Sequence, residues 1–281
     1  MMNRIELKQE AKGVVRTAAV SAYLFALLYL ALTELLQGAS VYVNGDVALY
    51  MQTYFPNVPI PSYLYPVALP TTVVTLVAVV CWLLRVLLQG GWVLYHLGVR
   101  RGEEMPYATL FDGFGFIGKL ILLNIVITLY VFLWSMLFVF PGIIAYYRYS
   151  FALYNLYEDP EMDIMEALNL SKRQTQGYKM ELFKLDLSYM GWILLGMLPS
   201  LFFTGQALLS RGISGMDPST VLAVPMSLWQ ILAASAFVYA LSIFYLPNYQ
   251  CVQLAYFDAA KEDMPEFRSR RTDFSDGPGS F

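Results

Sequence analysis

Histidine is nearly missing from this chain, and its scarcity removes more chemistry than any other feature of the composition. Among 281 residues there is one histidine, His96, and there are two cysteines, Cys81 and Cys251. A zinc site or a Ser-His-Asp arrangement cannot be assembled from that stock of histidines. The cysteines have no paired spacing that suggests a disulfide or a metal site, and both read as reduced packing residues. The sequence contains no G-x-S-x-G, no P-loop and no His-Glu-x-x-His. No catalytic residue and no cofactor is expected, and His96 is the one candidate left for histidine chemistry. Charge is also sparse: 14% of residues are charged, against about a quarter in soluble domains. The net charge of -3 gives no basic field to recruit nucleic acid. No internal repeat is visible.

What the chain has is apolar length. Hydrophobic residues make up 58% and the mean hydropathy is +0.52, which points to an integral membrane protein. Its length is best counted in spans of about 20 residues, each crossing about 30 Å of hydrocarbon. The expected fold is an all-α polytopic bundle of about six transmembrane helices over residues 19–37, 67–92, 117–140, 143–157, 182–203 and 221–247. A continuation of the last past Pro247, as a helix through Ala260, is also expected. Pro141-Gly142 is expected to end the third span, because proline lacks an N–H and disfavours helical geometry in the residue before it. Arg85, near one end of the second span, is expected to snorkel to the headgroups. Gly113-Phe114-Gly115-Phe116-Ile117-Gly118 has the letters of a dinucleotide fingerprint, but no strand precedes it, so it reads as flexible glycines at a membrane entry.

The polar segments fall around these spans. Residues 1–18 form an amphipathic N-terminal helix with Arg4, Lys8, Lys12 and Arg16 spaced by four, either lying on an anionic leaflet or leading into the first span. The apolar stretch Ala19–Leu36 is too long for a signal-peptide core of about 7 to 15 residues, so an uncleaved span is expected. Gly38–Pro66 has no Lys or Arg and is rich in Tyr and Pro, as an interfacial loop would be. Residues 19–260 form the bundle and 261–281 a polar, disordered tail. Asp159-Pro160-Glu161 reads as a helix start, Asp163 and Glu166 have capping-box spacing, and Gly177 is a stop. A cytoplasmic helix from Pro160 to Gln176, between spans four and five, is thus expected to rest on the membrane surface. Of 18 Lys and Arg residues Arg211 alone falls in an expected outside loop, so the positive-inside rule puts both termini in the cytoplasm of a plasma-membrane protein.

Two charges stand inside apolar stretches. Arg148 is ten residues before Glu158, about 15 Å deep, and Asp186 is seven after Lys179, about 10 Å deep. A charge at mid-membrane costs at least about 2.5 to 3.5 kcal/mol on insertion scales. Arg148 and Asp186 are therefore expected to pair, with Tyr146, Tyr147, Tyr149 and Ser188 adding hydrogen bonds, in a polar core that binds an anionic headgroup or a proton-coupled solute. The competing reading has Arg148 snorkelling and Asp186 at headgroup level. The acidic runs Glu158-Asp159-Glu161-Asp163 and Asp258-Glu262-Asp263 read as solvated faces or as a cation site.

Phe140-Pro141-Gly142-Ile143-Ile144, Tyr149, Glu158-Asp159-Pro160, Glu166 with Ser171, Gly177-Tyr178-Lys179, and Leu187-Ser188 with Gly191-Trp192 together resemble a bacterial multi-pass membrane family, the domain of unknown function nine-seven-five. Arg101-Gly102-Glu103 with Leu110-Phe111, and Glu6-Leu7-Lys8-Gln9 with Ala11-Lys12, extend the resemblance weakly upstream. It implies a fold and a location, not an activity. Three function classes remain: a non-enzymatic protein that binds lipid, a small amphiphile or a membrane-protein partner; a transporter or channel for a small solute; and a membrane-embedded enzyme.

Overall fold

A computed structural model of the chain describes residues 4–45, 69–211 and 228–264, excluding the side chains of 207, 208, 210, 211 and 228, and contains no strand among them. Its helices are α1 (Arg4–Thr17), α2 (Ala22–Val43), α3 (Thr71–Arg100), a 3-10 segment (Tyr107–Phe116), α4 (Ile117–Leu137), α5 (Val139–Tyr149), α6 (Ala152–Glu158), α7 (Ile164–Gln174), α8 (Lys179–Arg211) and α9 (Leu228–Glu262). The all-α expectation holds. Five helical stretches, Ala22–Val43, Thr71–Arg100, Tyr107–Leu137, Lys179–Gln206 and Trp229–Glu262, are long and apolar enough to cross a membrane. The expected loop from Gly38 begins later than the sequence suggests, because α2 runs on to Val43. Most of that loop and of the polar tail lies outside the described residues.

The expected fourth span, 143–157, is not one helix. It is divided between α5 and α6, interrupted at Ser150 and Phe151. Side chains of α7 substitute for the helical ladder there. The Arg148 carbonyl accepts from the Ser171 hydroxyl at 2.9 Å and the Thr175 hydroxyl at 3.3 Å, while the Phe151 N–H donates to Ser171 Oγ at 3.2 Å. Ser and Thr hydroxyls compete with backbone partners in this way wherever they reach an interrupted ladder. Pro141 also behaves differently from expectation. Phe138, in an extended conformation, ends α4, and Pro141 sits in the first turn of α5, where a missing N–H goes unmissed.

The chain divides into two compact units. The first comprises residues 1–22, 86–189 and 247–281, and the second 23–85 and 190–246. In the first, α4 and α5 form an antiparallel hairpin that α6 continues: Tyr130 meets Tyr149 at 5.6 Å between ring centroids and Phe116 meets Tyr157 at 5.6 Å. Lys119 Nζ closes its base by donating to the Pro160 carbonyl at 2.6 Å. Near the turn, a Cβ added to Gly142 would lie 2.1 Å from Ser135 Oγ, so glycine permits the close approach. At the turn itself Leu137, Phe138, Val139 and Phe140 are 62%, 71%, 71% and 78% exposed. Each large apolar side chain left in water forgoes about 1.5 to 3 kcal/mol of burial, so this turn is suited to apolar surroundings.

The N-terminal helix α1 buries Leu7, Ala11 and Val15. It is anchored by the Asn248 side chain donating to the Lys8 carbonyl at 3.2 Å, by Arg4 donating to the Lys184 carbonyl at 3.3 Å, and by Lys8 over the Tyr189 ring at 4.3 Å. Its apolar stripe is therefore taken up by protein. The same applies to α7, whose Ala167, Leu168, Ser171 and Gln174 are buried. Its N-cap is Asp163, accepting from the Met165 N–H at 3.0 Å. Asp159 instead caps a short turn by accepting from the Glu161 N–H at 3.1 Å. The expected start at Pro160 was thus one turn early, and a face expected on the membrane surface packs against α6 and α5.

In the second unit, the exposed Arg85 donates to Gln37 Oε1. Trp192 stacks on Tyr245 with centroids 6.1 Å apart, and Phe203 meets Trp229 edge-on at 5.3 Å.

Gly91 lets the 3-10 segment lie against α3: a Cβ there would stand 2.1 Å from the Leu110 carbonyl oxygen, a backbone atom with little freedom to retreat. Gly118, inside α4, has open space where its Cβ would be. Gly91→Ala is expected to destabilise by about 1 to 3 kcal/mol, and Gly118→Ala to be neutral or to stabilise by up to about 1 kcal/mol. Thermal unfolding of the two variants in detergent checks the contrast, and equal effects would contradict the packing described.

Candidate functional site

The polar interior of the first unit converges on Asp186 of α8. Its two carboxylate oxygens each accept a phenol: Tyr147 Oη of α5 donates to Oδ2 at 2.6 Å and Tyr249 Oη of α9 donates to Oδ1 at 2.6 Å. One anion thereby ties three helices together. Hydrogen bonds to an ionised group are shorter and roughly twice as strong as neutral ones.

Behind Tyr249 the donors continue in one direction. Gln253 Nε2 donates to Tyr249 Oη at 2.6 Å, and Tyr154 Oη donates to Gln253 Oε1 at 3.0 Å. Gln250 Nε2 donates to Tyr154 Oη at 3.1 Å, and Trp92 Nε1 donates to Gln250 Oε1 at 3.1 Å. Every link has its donor on the side away from Asp186, so each dipole favours the carboxylate. Two amides interrupt the hydroxyls, however, and an amide N–H does not relay protons as a hydroxyl does. The chain is a polar brace and not a proton wire.

A second brace fixes the α5–α6 break. Asn155 and Gln174, both buried, exchange two hydrogen bonds of 2.8 Å in the fashion of paired amides. A third set lies near the ends of the helices. Glu158 accepts from both Arg101 and Lys261, Arg100 reaches Asp258 at 2.7 Å and Glu10 at 3.4 Å, and Glu181 holds Lys184 at 2.8 Å and Arg4 at 3.9 Å. Tyr178 Oη donates to Asp263 at 2.5 Å. Burial first, and then the bond to Asp263, raises the Tyr178 phenol above its ordinary pKa. Of the acidic runs, Glu158, Asp258 and Asp263 are taken by these partners, and among the described residues no group of three or more His, Cys, Asp or Glu could hold a metal ion.

The expected pair of Arg148 and Asp186 does not form. The described ion pairs do not include it, and Asp186 is satisfied by phenols. Tyr147, one residue before Arg148, points its hydroxyl at Asp186 in place of the guanidinium. Arg148 is half-buried on the last turn of α5, makes no ion pair among the described residues, and lies within the electrostatic reach of Lys179. Tyr149 is buried against Tyr130, and the exposed Ser188 turns its hydroxyl back to the Leu185 carbonyl of its own helix at 2.6 Å. Tyr146 is exposed. Neither Tyr149 nor Ser188 joins the carboxylate.

Among the motif residues, Ser171 is the α7 anchor, Pro160 receives Lys119, Gly177 ends the α7 segment with a φ of 93°, and Lys179 opens α8. Glu166 is exposed in the first turn of α7, and Gly191 and Trp192 belong to the second unit. His96 is fully buried, its Nδ1 2.8 Å from the Trp92 carbonyl and its ring 4.1 Å from that of Trp92. It is a core residue and not an accessible base. Sequence reasoning missed Tyr249, Gln250 and Gln253. Their signal was present: polar residues at helical spacing just after Pro247, where the helix is less apolar than before it.

The arrangement defines a membrane-type helical protein with a braced polar interior. The family model described as "Protein of unknown function (DUF975)" matches residues 137–263, the stretch from the α4–α5 turn to the end of α9. It takes in Arg148, Ser171, Asp186 and Tyr249, and leaves the resemblance read upstream, near Arg101 and Glu6, outside the match. No curated protein and no solved structure matches the chain.

Tyr147→Phe and Tyr249→Phe are each expected to lower stability by about 1 to 3 kcal/mol. The double variant of Tyr249→Phe with Asp186→Asn should be less damaged than the sum of its parts. Arg148→Leu with Asp186→Leu should be additive. Denaturation in detergent measures both cycles, and coupling only in the second would reverse the assignment.

Proposed function

We propose that this protein is a non-enzymatic membrane protein that binds an anionic lipid headgroup, or an amphiphile with the same phosphate chemistry, at Arg148 and Lys179. One observation carries the reading. Arg4, Arg100, Arg101, Lys184 and Lys261 of the first unit are each ion-paired, whereas the half-buried Arg148 and Lys179 have no anionic partner among the described residues and, unlike Lys12, Arg16, Lys119 and Lys172, which also lack an ion pair, lie within electrostatic reach of each other. Two close cations without a counter-charge attract an external anion, and a guanidinium beside an ammonium suits a phosphate, which accepts from both. Asp186 does not compete, because its oxygens are occupied by Tyr147 and Tyr249.

The proposed location is the plasma membrane, with the first unit facing the cytoplasm. All Lys and Arg residues except Arg85 and Arg211 belong to that unit, as the positive-inside rule favours. Both described ends of the chain belong to it too, and Asn248 bonded to Lys8 brings them together. This supports two cytoplasmic termini.

Retention of lipid by the purified protein tests the reading. With mixed phosphatidylglycerol and phosphatidylcholine, native mass spectrometry should show preferential retention of the anionic lipid. Replacing both cations, Arg148→Gln with Lys179→Gln, should lower that preference about tenfold, equivalent to about 1.4 kcal/mol, with thermal stability in lipid-free detergent unchanged. An unaltered preference in the double variant would remove the site.

A further inference from the structure

We propose that the α4–α5 hairpin is re-entrant: it enters the bilayer from the face that carries Lys119 and Arg148, ends among the acyl chains, and returns to that face without emerging on the other. The inference shares with the headgroup site the level of Arg148, and it rests on that reading for its depth. It begins with the turn. From Met136 to Ile144 no side chain is polar, and Leu137 through Phe140 stand 62–78% exposed at the tip. A turn that surfaced in water would be expected to carry polar turn residues such as Asn, Asp or Ser beside its Pro141-Gly142, yet between Met136 and Ile144 there is none.

The backbone of the turn is suited to hydrocarbon as well. The Phe138 N–H donates to the Trp134 carbonyl and the Gly142 N–H to the Phe138 carbonyl, both at 3.3 Å. Pro141 has no N–H to leave unmet in the first turn of α5. Within a bilayer every unsatisfied backbone group is costly, and these two bonds and the proline lower their number at the turn, although the N-cap Phe138 makes no side-chain bond.

Charge and length then fix the direction and the reach. Of the hairpin's cations, Arg148 stands ten residues from Phe138 and Lys119 nineteen, about 15 Å and about 28 Å of helix, so with Arg148 among anionic headgroups Lys119 lies farther out on the same side. Arg148 is ten residues from Phe138 along the chain, about 15 Å of helix, or half of a hydrocarbon core of about 30 Å. At the level of Arg148, α7 packs against the returning arm and presents the exposed Glu166 and Arg173 to the surroundings, which places a polar environment there. The Tyr107–Leu137 stretch, long enough to cross, therefore spends part of its length outside the hydrocarbon. The partner of the apolar tip is the acyl-chain region of one leaflet.

Single cysteines at Val139 and Ile144 in the full chain, with Glu161→Cys as the reporter of the polar face and the parent protein as the blank, test this in proteoliposomes. Cys81 and Cys251 of the parent are buried. The expected result is that a membrane-impermeant maleimide labels neither Val139→Cys nor Ile144→Cys from either side, while both label fully in denaturant. Bimane attached at 139 before reconstitution should be quenched most by phosphatidylcholine brominated near the chain ends. Labelling of Val139→Cys from the face opposite Glu161→Cys would mean a crossing hairpin, and labelling from the same face would mean a tip in water. Absence of quenching by any brominated lipid would mean that protein covers the tip. Each of these three results overturns the proposal.

Discussion

The hydroxyl of Ser171 holds together what would otherwise be two loose helix ends. It accepts from the Phe151 N–H and donates to the Arg148 carbonyl, bridging an interruption in a segment whose composition alone would make one apolar helix. A buried backbone group without a partner costs about 1 to 3 kcal/mol, so the break survives only while α7 is docked. Thr175 adds a second hydroxyl to the same carbonyl, and the reciprocal amides of Asn155 and Gln174 hold the far side of the break.

From that constraint the rest of the first unit follows. Ending α5 at Tyr149 directs Tyr147 at Asp186 and leaves the guanidinium of Arg148 beside Lys179. Starting α6 afresh at Ala152 brings Tyr154 to Gln250 and Gln253 of α9. Asp186 then serves as the common acceptor of a set of donors whose dipoles all run toward it. A carboxylate whose oxygens are taken by phenols leaves the neighbouring cations without it as a partner. On the reading proposed above, the separation of Asp186 from Arg148 is what leaves a basic position for an external anion.

Much of this was legible in the sequence, though unevenly. The helical class, the amphipathic start, the continuation of α9 past Pro247 and the stop at Gly177 follow from hydropathy, periodicity and local backbone rules, which depend only on near neighbours. The division of residues 143–157 was not legible, because its cause, the Ser171 hydroxyl, lies twenty residues away from Phe151. Pro141 was read as a terminator when it is an initiator, since a proline at a helix boundary satisfies either reading until Phe138 is seen to be extended. Arg148 and Asp186 were correctly singled out as charges in apolar sequence. Their pairing was inferred from opposite sign and similar depth, which ignores the rotation of each helix; a shift of one residue, to Tyr147, changes the partner. Tyr249, Gln250 and Gln253 could have been noticed as a polar stripe, but their partners on α3 and α6 are non-local.

The most direct test of this account is hydrogen exchange at the Phe151 amide. In the native protein in detergent that amide should be protected, although it lies between two helices, and Ser171→Ala should release it together with its neighbours in residues 149–152, leaving α4 and α9 protected. If the amide exchanges freely in the native protein, or if Ser171→Ala leaves its protection unchanged, the break is not held by α7 and the arrangement built on it is wrong.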